Sequence, residues 1–438
     1  MSRLTGESLG ECHSPPYASR LRLLLADAEP LGTAVESAFV PPNVMYYLPM
    51  LSDDLFRTVD AVLDSESPAD ALEMLAGEFR ACGRYDLLFE ARTMRKRVDL
   101  GLPLVQTEPS SSFPDEVRTV YDQAVIAAAR EAGELYLAAG NIPSGWRYLR
   151  AIGELAPVAA AIENAQPDED LDELIAIAFQ EGVHPLKGLE LILRNQGICR
   201  AITALGMQAV EKDREACIDL LIRELHSEAV ERIRKTVEQQ EGAAPQENCL
   251  PGLMQGRPWL FGEYDYYVDT SHLTSLLPYC LEVTKVETLQ LLDELCEYGK
   301  HLSPNFAFRG SPPFEDGYVD YGHYIKAMLR PEEDEHLRHF YEKAANPDPE
   351  TTGSAQAQLL VSLLARLERF EEALDIFLQY LANENPGYLT CPTALDLCYR
   401  SRNYERMRHL ARERGDVLSY TAAQVMAKGT ASIGKSQR

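Results

Sequence analysis

Positive charge is scarce in this sequence. Lys and Arg number 42 against 68 Asp and Glu, a formal net charge of −26. A surface of that sign repels phosphate backbones and anionic headgroups, so neither nucleic acid nor a membrane is the expected partner. The densest basic run, RTMRKR at Arg92–Arg97, reads as a solvated helix face. The nine cysteines contain no CxxC pair, which removes the usual spacing of a zinc knuckle. Cys199, Cys217 and Cys296 stand in apolar helical text and read as buried free thiols of a reducing compartment. No stretch reaches the roughly 18–20 apolar residues that span a bilayer. The first thirty residues hold no signal peptide, because Leu21–Ala26 is short and carries an arginine. A cytoplasmic location is expected. The motifs of nucleotide binding and of common hydrolases, GxGxxG, GxxxxGK[ST], GxSxG and HExxH, are also missing.

What is present is amphipathic helix. In SPADALEMLAGEFRACGRYDLLFEARTMRKRV, Leu72, Leu75, Phe79 and Cys82 recur at three- and four-residue steps, the spacing of one helix face. Ser67 before Pro68 has the form of an N-cap with proline in the first turn. Gly83 breaks the helix, and Leu87, Leu88, Ala91 and Met94 continue on a second. The same joint recurs at Gly140–Ile142, at Arg369–Phe370 and at Asn403–Tyr404. Phe370 and Tyr404 are 34 residues apart, a period of helix pairs that marks an α-solenoid.

The stretch RFEEALDIFLQYL resembles a tetratricopeptide repeat. Phe370 stands as the turn aromatic, Glu-Glu-Ala-Leu opens the second helix, and Ala373 occupies the small position where the two helices touch. The resemblance covers about 85 C-terminal residues, and the two N-terminal joints share it faintly. Met407 replaces the alanine of the preceding repeat, and the N-terminal joints are 57 residues apart rather than 34. The expected fold is therefore all-α, a right-handed superhelix of helix hairpins with a loop-decorated centre. Five segments are expected: disordered tails at 1–18 and 428–438, N-terminal hairpins over 19–164, a central section over 165–345, and tetratricopeptide-like helices over 346–427.

The centre has a different texture. EKDREACIDLLIRELHSEAVERIRKTVEQQ reads as one long helix. Two irregular stretches of more than twenty residues follow, Glu241–Ser271 and His301–Gly322. Loops that long are functional or disordered. Trp259, Phe261, Tyr264, Tyr266, Phe306, Phe308 and Phe314 argue for order, with both loops packed over helices.

Each of these loops ends in the same words, Tyr-Val-Asp-x-x-His, at Tyr267–His272 and Tyr318–His323. Each Asp has the form of an N-cap, and each His falls three residues on, on the same side of the helix start. If the two helix starts meet, Asp269, His272, Asp320 and His323 form a ligand set for a divalent transition metal such as Zn, Fe or Mn. His184, before Pro185, marks another helix start and is a further candidate ligand, with Glu190 about two turns on. The competing reading is capping, with Tyr-Val as a hydrophobic staple. Repetition of the His favours a ligand role, since capping does not require it. His226 lies on an apolar stripe and reads as a core histidine. His336 and His339 read as a solvated face, and His301 and His409 have no supporting pattern.

Two functions follow from different observations. Stacked helix pairs form a concave surface for a protein or peptide partner, and the charge makes a basic segment the expected one. Convergence of the two motifs would instead make a metal-dependent enzyme, a hydrolase in which the metal activates water.

Overall fold

The computed structural model describes residues 53–105, 110–165, 171–330, 334–346 and 353–433. The expected tail at 1–18 lies outside them. Every regular element among these residues is helical, and their one β-contact is an isolated bridge between Arg309 and Asp316. The described residues fall into two compact units. One holds those up to Asn195 together with Val210–Lys212, and the other holds Gln196–Ala209 and those from Asp213 onward.

The first unit contains α1 (Asp53–Ser65), α2 (Pro68–Ala81), α3 (Tyr85–Asp99), α4 (Asp115–Ala138), α5 (Ile142–Ile152), α6 (Ala156–Glu163), α7 (Leu171–Ile175, extended by a π turn) and α8 (Pro185–Gln196). Helix α2 starts where Ser67 accepts the Asp70 N–H and Asp70 returns the bond, a capping box with Pro68 in the first turn. Its buried centre is Ala71 and Ala76, while Cys82 is exposed. Phe89, Tyr121, Val125, Ala128, Ala129, Ala132 and Tyr148 form the core between α3, α4 and α5. Arg97 is buried in it. Its Nη1 donates to the Tyr121 hydroxyl at 3.2 Å, and its guanidinium lies over the Phe113 and Tyr121 rings.

The second unit contains α9 (Ile198–Met207), α10 (Arg214–Glu241), α11 (Leu250–Met254), α12 (Thr270–Leu276), α13 (Val286–His301), α14 (Gly317–Leu329), α15 (Asp334–Ala345), α16 (Ala355–Arg366), α17 (Phe370–Ile376, extended by a π turn), α18 (Ala394–Arg400), α19 (Tyr404–Glu413) and α20 (Val417–Ile433). Residues 428–433, expected in a tail, continue α20. Helices α10 and α13 run parallel, joined by Arg214–Glu282, Asp219–Thr288 and His226–Glu294, so the residue numbers rise together along the pair. Each helix from α13 to α20 packs on the next.

The joints share one turn. Gly83, Gly140, Glu368 and Arg402 are left-handed, with φ between 59° and 80°. In each case the next N–H reaches back to the carbonyl five residues earlier: Arg84 to Phe79, Asn141 to Tyr136, Arg369 to Leu364, Asn403 to Cys398. That bond is the Schellman closure of a helix end. Three residues beyond each turn aromatic or its equivalent stand Leu88, Gly145, Ala373 and Met407, all buried.

A second regularity links alternate helices. Arg369, the N-cap of α17, pairs with Asp334 of α15, and Arg406 of α19 pairs with Glu371 of α17; both pairs are 35 residues apart. Tyr341 of α15 donates to Glu372 at 3.1 Å, and Arg406 binds Asp375 at 2.6 Å, both 31 apart. Asn403, the N-cap of α19, also donates to Glu371 at 3.1 Å, so residue numbers rise together along both neighbouring pairs and α15, α17 and α19 lie parallel.

The long loops are pinned, as their aromatics implied. Arg234 donates to the carbonyls of Pro245 and Glu247 and to the Asn248 side chain. Glu294 accepts from Leu250 N at 2.9 Å. Phe314 stacks on Tyr321 with centroids 4.1 Å apart, yet Trp259, Tyr264 and Tyr266 remain exposed. Two glycines allow close approach at α14. A Cβ on Gly299 would lie 2.4 Å from the Tyr318 ring, and one on Gly317 would lie 2.3 Å from Phe308.

Candidate functional site

The two Tyr-Val-Asp-x-x-His copies occupy different structural positions. In the first, Asp269 is the N-cap of α12 and accepts from Ser271 N at 2.8 Å. Those bonds from Ser271 hold the Asp269 carboxyl below its usual range. Val268 before the cap and Leu273 after it are both buried, the places of a hydrophobic staple. His272 is half-buried in the first turn.

The second copy is already helical. The N-cap of α14 is Asp316, not Asp320. Asp320 is one turn further in, 2% exposed, and its Oδ2 accepts from the N–H of Asp316 at 3.1 Å. The capping expectation fails here because Gly317 packs against Phe308 and starts the helix earlier.

Asp320 is the hub of a polar cluster between α14 and α15. Its Oδ1 accepts from His339 Nε2 at 2.7 Å, and its Oδ2 accepts from Lys343 Nζ at 2.8 Å. Lys343 also donates to the Pro313 carbonyl and to Glu315, whose other oxygen accepts from Gln356 of α16. Burial works to raise the Asp320 carboxyl, but the bonds from His339 and Lys343 outweigh it and hold the group below the usual range.

His323 lies one turn beyond Asp320. Its ring stacks on His339 with centroids 4.2 Å apart and planes 9° apart, and its Nδ1 is 3.2 Å from His336 Nδ1. Burial, followed by the fields of His339, His336, Lys300 and Lys326, lowers the His323 pKa to about 4. The ring is therefore neutral near pH 7. The i, i+3 pair on α14 meets the i, i+3 pair His336/His339 on α15, so those two histidines are not on a solvated face.

On the α13 side, Lys326 pairs with Glu297 at 2.5 Å, and Lys300 pairs with the same oxygen at 2.9 Å. Burial opposes ionisation of Glu297, and the two ammonium groups more than offset it. Glu297 also lines a cavity of about 570 Å³ with Pro251, Met254, Pro258, Phe261 and His301. His301 packs on Phe261 and binds the Glu297 carbonyl through Nδ1 at 2.8 Å, which leaves Nε2 as the bare acceptor.

The remaining candidates are engaged elsewhere. His184 Nε2 meets Glu163 at 2.8 Å, and its Nδ1 accepts from Lys187 N, so the ring caps α8. Glu190 pairs with Lys187. His226 binds Glu294 at 2.8 Å. Cys217, Cys280 and Cys296 are buried and their thiols pushed up by desolvation, whereas Cys199 is exposed, contrary to expectation. Asp320 and His323 share a cluster, but Asp269 and His272 are not in it. Among the described residues no group of three or more His, Cys, Asp or Glu is placed to hold a metal ion. Chemically, Asp320 orients the His339 imidazole, as a carboxylate does for a general base. No helix among the described residues is long and apolar enough to cross a membrane.

No known protein family, no curated protein and no solved structure matches the chain.

Proposed function

We propose that this chain is a helical-repeat scaffold of tetratricopeptide type that binds a protein or peptide segment, and that the segment is basic. The observation that carries this reading is the parallel succession α15, α17, α19, each joined to the next at offsets of 35 and 31 residues. Such stacking extends a surface along the array in equal steps, which suits an extended ligand. It also adds the hairpin α14–α15 to the two pairs that resemble the family. Ala373 is fully buried where the resemblance places the small residue between paired helices. At the joint of two pairs a recess of about 360 Å³ is lined by Glu368, Glu371 and Glu372 with Arg369, Phe370 and Arg400. Glu371 and Glu372 are paired there with Arg406 and Arg369, so Glu368 and the net charge of −26 are what favour cationic side chains.

An array of immobilised twelve-residue peptides of varied charge, probed with the full chain, tests the reading. Selective capture on Lys/Arg-rich peptides, weakening with added salt, is the expected result. Equal capture on acidic and basic peptides would contradict it.

A further inference from the structure

We propose that the cavity between α11 and the last turn of α13 binds a small organic amine, an apolar ring that carries a cationic N–H donor. The cavity lies within the second unit, shares no residue with the recess at α17, and does not depend on the peptide-binding reading.

Its shape suits a small ligand. The volume of about 570 Å³ falls within the roughly 300–1,000 Å³ of small-molecule sites. Pro251, Met254, Pro258 and Phe261 give it apolar walls. Those walls are fixed by bonds outside the cavity. Leu250 N donates to Glu294 at 2.9 Å and sets the start of α11. Phe261 packs on the buried Tyr298 ring, centroids 6.0 Å apart, and on His301 at 5.3 Å. Walls formed in advance spare the ligand the cost of ordering them.

The polar groups that line it select the sign of the ligand. Arg257 is already engaged, with Nε and Nη2 on Glu241 at 2.7 and 3.1 Å and Nη1 on the Leu253 carbonyl at 3.0 Å. Two acceptors stay open. Lys300 and Lys326 both donate to Oε1 of Glu297, which leaves Oε2 without a partner among the described residues. His301, one turn on, is exposed, and with Nδ1 on the Glu297 carbonyl its Nε2 faces outward as an acceptor. The i, i+4 spacing puts both side chains on one face of α13, and both line the cavity. They stand in the last two turns of α13, where the carbonyl end of the helix adds partial negative charge. An ammonium donor is favoured there, and a carboxylate or phosphate meets acceptors in place of donors. Gln255 is exposed at the same cavity, and its amide serves either sign.

The Met254 methyl reports occupancy from the wall. The full chain, labelled at methionine methyls with the Met254 signal assigned through Met254→Leu, is titrated with benzylamine and, separately, with benzoate at matched ionic strength. A saturable shift with benzylamine, half-complete at about millimolar concentration, and none with benzoate supports the site. His301→Leu removes the Nε2 acceptor at an exposed position and weakens the benzylamine response about tenfold. The comparison of the two ligands uses the unaltered chain, so it stands even if the variant fails to fold. A non-saturable shift with benzylamine, an equal response to benzoate, or an undiminished response in His301→Leu with a native melting curve would overturn the proposal.

Discussion

Asp320 accepts a hydrogen bond from His339 Nε2 at 2.7 Å, and the same carboxylate accepts one from Lys343. The carboxylate is nearly sealed from water, so these bonds replace its hydration. Asp320→Asn keeps the volume but removes the charge that both donors face. The variant is expected to lose about 1.5–3 kcal/mol in urea unfolding. A loss under 0.5 kcal/mol would mean that the cluster contributes little to the α14–α15 contact.

Acid should weaken the fold in two steps. His323 has a folded pKa of about 4 against an ordinary 6.5, so between those values the unfolded chain binds the extra proton. Stability therefore falls as pH drops from about 6.5 toward 4. The facing groups are Asp320, Lys326, His336, His339 and Lys343 on α14 and α15, with Asp293, Glu297 and Lys300 on α13. Asp320 is shifted down, so its contribution is intact in that window and is lost only below its unfolded value of 3.8. Melting curves from pH 7.5 to 4.5 should drop less in His323→Gln than in the native chain. Parallel curves would rule out His323 as the source.

Glu368 and Arg402 hold a left-handed backbone at φ 59°, where an L side chain is strained by about 1–2 kcal/mol. Glycine relieves that strain, and part of the gain is offset by its greater freedom in the unfolded chain. Glu368→Gly and Arg402→Gly should each raise the melting temperature slightly, whereas Gly83→Ala, at φ 75°, should lower it.

Gly299→Val should be disruptive. Its Cβ would fall 2.4 Å from the Tyr318 ring at the contact of α13 with α14, and overpacking of this kind costs about 1–3 kcal/mol. Urea unfolding measures it, and an unchanged midpoint would show that Tyr318 can move away freely.

Glu294 ties the loop after α10 to α13 through Leu250 N and His226. Glu294→Ala should speed limited proteolysis within residues 242–269 without changing cleavage in the C-terminal helices. Uniformly faster cleavage would instead indicate global destabilisation.

The helical fold and its joints were legible because Gly83, Gly140, Phe370 and Asn403 punctuate strong 3.6-residue patterns. Ser67 and Asp269 cap their helices as their residue types predict. The third parallel step was hidden, since DEHLRHFYEK carries no turn signature and its pairing depends on Asp334 and Tyr341 meeting residues 31–35 positions away. The repeated motif misled for a related reason. Capping is local, but whether Asp320 caps a helix or lies buried within one depends on Gly317 meeting Phe308. His336 and His339 were obscured by acidic neighbours. Their one signal was the i, i+3 spacing shared with Asp320 and His323, which lets two helices interleave four polar side chains.

Calorimetric titration of the full chain is the most direct test of the proposed repeat scaffold for a basic segment. The ligand is a Lys/Arg-rich peptide selected from the array, run beside its Asp/Glu twin and against the Glu368→Lys variant. Saturable binding of the basic peptide alone, weakened by salt and reduced about tenfold or more in the variant, is the expected result. Binding of the basic peptide that is unchanged in the variant and in high salt, or equal binding of the acidic twin, would contradict it.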